Sequence, residues 1–358
     1  MTADIVDTPA QAAELELPPL IVREPLEAFM DEHGLGEGMI SAERVGEGHS
    51  NVTFLVHRGE ESFVLRRPPR PPLPPSAHDV LREARVLSGV QGRIRTPAVL
   101  AVCDDESILG VPFYVMERVY GTVITSEIPA AIDTAEEHAR ISEELITALV
   151  ELHAVDWRDA GLEGFGKPSG YLDRQLRRFN GLWEHNKTRE LPLVQEVADW
   201  LAANKPESPD ATIVHGDFRL GNTMFADDAP ARLVAIFDWE MATIGDPLAD
   251  LGYMTATWAE RGEAEQSMFA LTTVTRAEGF YLRDELVARY EELSGRSMSD
   301  LRWYQALAVW KAVVFMEGNY KRAVAGTTDD SYLLLFEEGV PRLAEAAHEI
   351  TQAPPPGS

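Results

Sequence analysis

Cysteine is almost absent from this chain, since Cys103 is the only one among 358 residues. A single thiol excludes an internal disulfide and a cysteine-rich zinc site. No apolar run reaches the roughly 20 residues that a membrane-spanning helix needs. The segment Met1–Leu20 is acidic, rich in alanine and proline, and lacks both a basic segment and a hydrophobic stretch. It therefore predicts a disordered leader rather than a signal peptide, and the chain as a whole reads as cytoplasmic.

Lysine is missing from residues 1–118, where all 11 basic side chains are arginine. Several catalytic motifs are missing as well, since the chain has no G-x-x-x-x-G-K-[ST] phosphate loop, no H-E-x-x-H zinc motif and no G-x-S-x-G nucleophile elbow. No internal repeat occurs. The sequence therefore offers nothing for P-loop, zinc-peptidase or serine-hydrolase chemistry.

Two short motifs with carboxylates and an amide are the most informative feature of the sequence. The first is H-G-D-F-R-L-G-N at positions 215–222, and the second is F-D-W-E at positions 237–240. Each follows a short apolar, β-branched segment, which predicts a buried strand that aims the polar residues at its end. In phosphoryl-transfer sites one Asp lies beside the acceptor hydroxyl, while an Asn and a second Asp hold Mg²⁺ against the nucleotide phosphates. Asp217, Asn222 and Asp238 fit these three roles.

The order of these motifs resembles the signature of the aminoglycoside phosphotransferase and choline kinase superfamily, H-G-D-x-x-x-x-N followed by a metal-binding Asp. The resemblance covers most of the chain, roughly from Ser41 to the C-terminal helices. It points to the branch that includes the kinase-like domain fused to acyl-CoA dehydrogenases, through the strings V-L-R-R-P-P at 64–69, F-Y-V-M-E-R at 113–118 and G-D-P-L-A-D-L at 245–251.

The resemblance implies an α+β, bilobal protein-kinase-like fold. Residues 21–118 would form a nucleotide-binding lobe, with a small antiparallel β-sheet, one main helix and a hinge at its end. Residues 119–350 would form a larger, mostly helical lobe that carries the catalytic and metal-binding loops. Residues 1–20 and 351–358 would be a disordered leader and tail.

A glycine-poor version of a phosphate-covering loop is predicted at residues 46–51, between two strand-like segments. Gly46 and Gly48 lack a Cβ atom, so their backbone can approach phosphate closely. Ser50 and Asn51 complete the loop. An ordinary hairpin turn is the alternative interpretation.

Arg66 is the candidate for the cation that binds the nucleotide phosphates, because lysine is missing from this half of the chain. Alternation along a strand places Phe63 and Leu65 on one face and Val64 and Arg66 on the other. Val64 would then cover the adenine while Arg66 reaches the α- and β-phosphates, to which arginine binds in a bidentate manner. Arg67 is expected to point the other way, into solvent.

Glu83 lies on a helix-like run, His78–Leu87, from which it would orient Arg66 as the corresponding helix glutamate does in kinases. A solvated helix-face glutamate is the alternative. By resemblance, the carbonyl of Glu117 and the N–H of Val119 lie at the hinge and pair with the adenine edge.

Three residues of the second half are expected to support the reaction. Arg219 is placed to neutralise charge that develops on the transferring γ-phosphate, although a surface ion pair is the alternative. By resemblance, Asp250 hydrogen-bonds the catalytic-loop backbone and so holds Asp217 in place. His153 is interpreted as a packed structural histidine.

The chain is strongly acidic, with a net charge of −27. Residues 1–118 carry 19 acidic against 11 basic side chains, so most of the excess lies in residues 119–358. Such a field would attract a polycationic acceptor, for example an aminoglycoside, and repel nucleic acid. A uniformly acidic surface that only aids solubility is the alternative.

The sequence thus predicts a Mg²⁺-dependent O-phosphotransferase that moves the γ-phosphoryl of ATP or GTP to a small acceptor. Aminoglycosides, amino alcohols, sugars and hydroxyacyl compounds all remain open as acceptors. Its expected partners are the nucleotide and this acceptor, not nucleic acid or a membrane, and its expected state is a monomer or homodimer. The alternative is a catalytically weak nucleotide-binding regulator, suggested by the missing lysine and the glycine-poor loop.

Overall fold

A computed structural model describes residues 4–46, 51–70, 78–263, 271–328 and 330–353 of the chain. Its contacts divide the chain into two compact units. The first comprises Met1–Tyr120 together with Ala160–Leu162 and Ala235–Glu240, and the second comprises the remaining residues. From the sequence, the F-D-W-E motif at positions 237–240 was expected in the helical lobe, residues 119–350. The contacts in the structure instead group Asp238 with the first unit.

The first unit is built on a five-stranded antiparallel sheet. Its elements in chain order are β1 (Ile5–Val6), α1 (Pro9–Ala13), β2 (Ile21–Val22), α2 (Arg23–Glu32), β3 (Ile40–Val45), β4 (Val52–Arg58), β5 (Glu61–Arg67), α3 (Val80–Val90), β6 (Val99–Cys103), α4 (Glu106–Leu109) and β7 (Phe113–Glu117). The sheet has the strand order β3-β4-β5-β7-β6. The small antiparallel sheet that the sequence predicted is therefore present.

Alternating burial along β5 sets the face on which each side chain lies. Phe63 and Leu65 are buried in the apolar core of the unit, whereas Val64 and Arg66 lie on the other face and are half-buried. Strand β4 alternates in the same way. Because β4 and β5 are paired in register, Arg66 lies opposite Thr53, on the face away from the core.

The described part of the N-terminal leader has secondary structure, so the expectation of disorder for residues 1–20 was wrong there. Strand β1 pairs in parallel with β2, and a capping box begins α1. Ile5 packs against the core of the unit, and Asp4 binds Arg70 at 2.5 Å. An acidic composition predicted disorder because it offers little to bury, but the partners that order this segment come from later in the chain.

The second unit is mainly helical. Its elements in chain order are β8 (Thr122–Val123), α5 (Ala135–Ala154), α6 (Tyr171–Asn186), α7 (Pro192–Ala203), β9 (Thr212–Val214), β10 (Thr223–Phe225), β11 (Leu233–Ile236), β12 (Thr243–Gly245), α8 (Leu248–Thr257), α9 (Arg283–Ser294), α10 (Leu301–Val324) and α11 (Phe336–Gln352). The last two residues of β11 are counted with the first unit. Strands β9 and β12 form an antiparallel pair, and β8, β10 and β11 form a second small sheet.

Helix α10 is the central packing element of the second unit. The indole N–H of Trp303 donates to the carbonyl of Leu201 at 2.9 Å, and that of Trp310 donates to Val194 at 3.1 Å. Both contacts satisfy a polar group that large aromatic side chains bring into a core. No helix in the described ranges combines the length and apolarity that a membrane crossing requires.

The C-terminal helix extends into the segment expected to be a disordered tail. Helix α11 includes the first two residues of 351–358. Residues 354–358 lie outside the described part of the chain.

Candidate active site

The loop of the H-G-D motif, residues 215–222, follows strand β9 and is held by one buried carboxylate. Asp250, in the first turn of α8, is fully buried. It accepts hydrogen bonds from the backbone N–H groups of His215 and Gly216, both at 2.7 Å. This is the contact that the family resemblance implied for Asp250.

His153 supports Asp250 from helix α5. Its Nε2 atom lies 3.2 Å from Asp250 Oδ2, and its Nδ1 atom lies 2.7 Å from the hydroxyl of Tyr290. Both ring nitrogens are thus engaged, and the imidazole is buried. His153 is a packed structural histidine in this structure, in agreement with its interpretation from the sequence.

Gly216 is required by the shape of the loop. Its φ is +89°, in the left-handed region that favours glycine. A Cβ atom there would lie 2.8 Å from the Cβ of Met241, closer than real contacts allow. The glycine of the H-G-D motif therefore lets the chain turn sharply just before Asp217.

Asp217 and Asn222 face each other across the loop. The Asn222 side chain donates from Nδ2 to the backbone carbonyl of Asp217 at 2.8 Å and to its carboxylate Oδ2 at 2.7 Å. Since both partners are acceptors, they must face the NH₂ group, and this fixes the orientation of the amide. The Oδ1 atom of Asn222 is then the one available as a metal ligand.

Arg219 and Tyr253 also contact Asp217. Arg219 Nε lies 3.6 Å from Asp217 Oδ1, and both side chains are about one quarter exposed. Its guanidinium lies over Gly221, where a Cβ atom would approach Nη1 to 2.2 Å. Arg219 does form an ion pair, as the alternative interpretation held, but its partner is Asp217 itself. Burial and the hydrogen-bonded carboxylate of Asp217 raise the pKa of Tyr253.

In the first unit, Arg66 bridges two carboxylates. Its Nε atom lies 2.9 Å from Glu83 Oε2, and its Nη2 atom lies 3.0 Å from Asp238 Oδ1. Its side chain is only 15% exposed. Burial alone would lower the pKa of Arg66, but the charges of Glu83 and Asp238 outweigh burial and raise it above the ordinary value. The structure thus places Glu83 beside Arg66, as the sequence predicted, and joins Asp238 to the same guanidinium.

Glu83 is buried rather than solvated, with a side chain that is 2% exposed. Burial raises the pKa of this carboxyl, and Arg66 opposes the shift. Asn51 Nδ2 donates to the same oxygen, Oε2, at 3.3 Å. Glu83 lies in the first turn of α3. The start of this helix is fixed by its N-cap residue Asp79, whose side chain accepts a hydrogen bond from the N–H of Arg82.

Asp238 has an unusual backbone conformation. Its φ is +64°, one of two positive values among the described non-glycine residues. Such a conformation costs roughly 1–3 kcal/mol and persists only where surrounding contacts enforce it. Here the neighbouring Trp239 is buried and donates to the carbonyl of Ile236 at 3.0 Å. Strain of this kind is common at functional sites, which supports a functional role for Asp238.

Arg67 is buried, so the expectation that it is solvated was wrong. Its side chain donates to the backbone carbonyls of Leu20, Pro68 and Leu109. Alternation along β5 places it on the same face as the buried Leu65, at the end of the core. Burial lowers the pKa of Arg67 to about 10, and Arg70 adds to this effect.

The structure describes some, but not all, of the other residues predicted to bind the nucleotide. Gly46 follows β3 and has a φ of +77°, whereas Gly48 and Ser50 lie outside the described residues. Val64 pairs with Met116 in the ladder between β5 and β7. Glu117 ends β7, and Val119 follows two residues later. Their contacts to adenine stay a prediction.

Sequence reasoning missed Tyr253 and Lys311. Tyr253 lies three residues after Asp250 on α8, so helical spacing could have pointed to it. Lys311 lies in the middle of α10 among residues that read as core. No local sequence pattern distinguishes Lys311 from an ordinary lysine at the edge of the buried face of a helix, so sequence reasoning had no ground to select it.

The sequence pattern of the phosphotransferase enzyme family matches residues 41–292, more than half of the chain. This chain belongs to the phosphotransferase enzyme family. Viomycin phosphotransferase from Streptomyces vinaceus is 25% identical to it over 193 residues, which are 52% of this chain and 63% of that protein.

Longer matches come from proteins named as acyl-CoA dehydrogenases. Acyl-CoA dehydrogenase family member 11 from Gallus gallus is 32% identical over 323 residues, covering 88% of this chain and 41% of the relative. The Homo sapiens protein of the same name is 29% identical over 336 residues, covering 91% and 43%. The chain therefore spans less than half the length of these curated relatives.

Solved structures confirm the predicted kinase-like α+β fold. A candidate aminoglycoside phosphotransferase from Ralstonia eutropha JMP134 gives a TM-score of 0.80 at 29% identity, covering 92% of the present chain and 98% of the Ralstonia chain. Aminoglycoside phosphotransferase APH(4)-Ia, in a ternary complex with AMP-PNP and hygromycin B, gives 0.59 at 18% identity, covering 92% and 99%. The second likeness concerns the fold alone.

Proposed function

We propose that this phosphotransferase transfers the γ-phosphoryl group of ATP, or of GTP, to a hydroxyl of a small molecule. The observation that carries the proposal is the pair Asp217 and Asn222, joined by two hydrogen bonds on a loop that Asp250 fixes. The AMP-PNP bound to a neighbour of the same fold supports an adenine nucleotide as the donor. We also propose a cytoplasmic location, as the sequence predicts.

Asp217 is the proposed general base. Its carboxylate takes the proton of the acceptor hydroxyl while the acceptor oxygen bonds to the γ-phosphorus, and the bond from that phosphorus to the bridging oxygen breaks. The products are a phosphate ester and a nucleoside diphosphate. Asn222 and Arg219 hold the carboxylate in place, and the charge of Arg219 stabilises negative charge that develops on the transferred group.

Asn222 and Asp238 are the proposed ligands of Mg²⁺. Their donor atoms are an amide oxygen and a carboxylate oxygen, and this hard oxygen set suits Mg²⁺. Magnesium commonly binds through one or two protein side chains and completes its shell with phosphate oxygens and water, so two ligands are sufficient. When bound, the ion neutralises charge on the nucleotide phosphates.

Arg66 is the proposed cation for the α- and β-phosphates. Glu83 holds Nε of the guanidinium at 2.9 Å, while Nη2 binds Asp238 in this structure and would exchange that partner for phosphate. The missing lysine therefore no longer favours a regulatory protein over an enzyme, because an oriented cation is present. A coupled assay of nucleotide consumption with a pool of hydroxylated metabolites tests this choice. Acceptor-dependent consumption is expected, whereas nucleotide binding without any consumption would favour the regulator.

Arg66→Ala is expected to weaken nucleotide binding by at least about tenfold, because a charge-assisted, bidentate phosphate contact is lost. Arg66→Lys is expected to recover only part of this loss, since an ammonium cannot reproduce the fork of the guanidinium. Calorimetry with the nucleotide measures both effects. Arg44→Ala is the matched control, because Arg44 is an exposed strand arginine of the same unit. Equal affinities in Arg66→Ala and Arg44→Ala would refute the assignment.

Arg67→Ala is expected to lower the free energy of unfolding by about 1–3 kcal/mol, because buried backbone carbonyls lose their donor. Thermal and denaturant unfolding measure this change. At a temperature where the variant is folded, its nucleotide affinity should stay near that of the wild type. A stable Arg67→Ala protein that cannot bind nucleotide would instead reverse the roles of the two arginines.

A further inference from the structure

Two cations of the second unit face the same aromatic ring. Lys311, on α10, places Nζ 5.0 Å from the ring centroid of Phe179, and Arg178, on α6, places Cζ 5.9 Å from it. Phe315 packs edge-on against the same ring, with the centroids 5.0 Å apart. Both cations thus make a cation–π contact with the ring of Phe179.

Neither Lys311 nor Arg178 forms a hydrogen bond or an ion pair with any residue in the described ranges, although the chain carries 27 excess negative charges. Two other cations of the same helices do have partners, since Arg174 donates to two backbone carbonyls and Lys321 donates to one. Lys311 is moreover half-buried. A partly desolvated ammonium without an anionic partner is costly, so its retention calls for a ligand.

The nearest carboxylates do not serve as that partner. Asp250 and Asp217 are close enough for their charges to act on Lys311. Both are engaged elsewhere, because Asp250 accepts from the backbone of the catalytic loop and Asp217 accepts from Asn222. Burial, followed by the charge of Arg178, lowers the pKa of Lys311 to about 8, and the two carboxylates oppose this shift. Lys311 is therefore still mainly protonated at neutral pH.

We propose that Lys311 and Arg178 bind an anionic group of the acceptor, a carboxylate or a phosphate ester, and so direct its hydroxyl toward Asp217. This inference rests on the function proposed above and narrows its acceptor class. Lys311, whose charge is within range of Asp217, and the exposed Arg178 beside it disfavour a polycationic acceptor such as an aminoglycoside. The local charge thus opposes what the overall acidity of the chain suggested, because nearby charges outweigh distant, screened ones.

Anion binding can be observed directly at Lys311, because the chain has only five lysines. Protein labelled with ¹³C at lysine Cε is titrated with acetate and, separately, with inorganic phosphate, and one of the two should bind more tightly. The Lys311 signal should shift and saturate with at least one anion, and its own titration should give a pKa near 8. Lys205, which is paired with Asp173, is the internal control.

Two neighbouring variants sharpen this titration. Arg178→Gln should weaken anion affinity at least about fivefold, consistent with the loss of one charged contact. Arg177→Gln, which removes an exposed arginine of the same helix, should leave it unchanged. Shifts that do not saturate, or that are as large at Lys167 as at Lys311, would overturn the proposal.

Acceptor preference gives the second test. A hydroxy carboxylate, its uncharged amide and the corresponding amino alcohol are compared as acceptors with the nucleotide and Mg²⁺. Wild type should favour the carboxylate over the amide by at least about tenfold in kcat/KM, as a charged hydrogen bond supplies. Lys311→Met should reduce the ratio to about twofold, and Lys311→Arg should restore most of it. A wild-type preference for the amine, or an unchanged ratio in a folded Lys311→Met protein, would refute the site.

The two tests also separate this inference from the proposed function. The titration needs no turnover, so saturable anion binding without any phosphoryl transfer would contradict the enzyme and leave the anion site standing. Phosphoryl transfer without anion binding at Lys311 would contradict the anion site and leave the proposed enzyme activity standing.

Discussion

Asp217→Asn is expected to reduce phosphoryl transfer by about 10²- to 10⁴-fold, the range that general acid–base catalysis supplies. The amide keeps the size of the side chain but cannot accept the hydroxyl proton. Nucleotide affinity should stay within a few-fold of wild type, because Asp217 meets the acceptor and not the nucleotide. Steady-state kinetics give the first quantity and calorimetry gives the second.

Asp210→Asn is the matched control for this change, since Asp210 is an exposed aspartate just before β9. Its turnover should equal that of wild type. Because Asn222 donates to the Asp217 carboxylate, the asparagine variant also loses an ionic acceptor, and its melting temperature must be recorded beside its activity. Turnover within about tenfold of wild type in a folded Asp217→Asn protein would contradict the role of general base.

Asp238→Ala is expected to abolish Mg²⁺-dependent nucleotide binding, so that affinity with Mg²⁺ falls to the value measured without it. A carboxylate contributes a full charge to a hard cation, whereas the amide of Asn222 contributes only a dipole. Asn222→Ala should therefore weaken binding less than Asp238→Ala does. Calorimetry of the nucleotide with and without Mg²⁺ measures both changes.

The left-handed backbone of Asp238 complicates an alanine at this position. Alanine disfavours a φ of +64°, whereas asparagine tolerates it. Asp238→Asn therefore separates loss of the carboxylate from backbone strain, and it should lose nearly as much Mg²⁺ dependence as the alanine variant. Wild-type affinity in Asp238→Asn at saturating Mg²⁺ would exclude Asp238 as a metal ligand.

Local sequence patterns predicted much of this site because its residues lie on short strands or directly after them. The apolar strand before position 215 and the spacing to Asn222 were enough to select Asp217 and Asn222 as site residues, and the structure adds the hydrogen bond between their side chains. Alternation along β5 likewise placed Arg66 opposite the core, and the structure joins it to Glu83 at 2.9 Å.

Features that depend on distant parts of the chain could not be predicted. Arg67 was expected in solvent because arginine is seldom buried alone, yet its carbonyl partners come from Leu20 and Leu109. Ile5 packs on a core formed by later segments, so the leader could not be recognised as structured. Lys311 owes its environment to Phe179 on another helix, which sequence spacing does not reveal.

Product analysis by mass spectrometry tests the central claim most directly. Wild-type protein and the Asp217→Asn variant are each incubated with ATP, Mg²⁺ and a panel of hydroxylated small molecules that includes anionic, neutral and cationic members. Wild type should convert at least one member into its phosphate monoester, with matching release of ADP, and the variant should form almost none. Consumption of ATP without a phosphorylated acceptor, or equal product from both proteins, would contradict the proposed phosphoryl transfer.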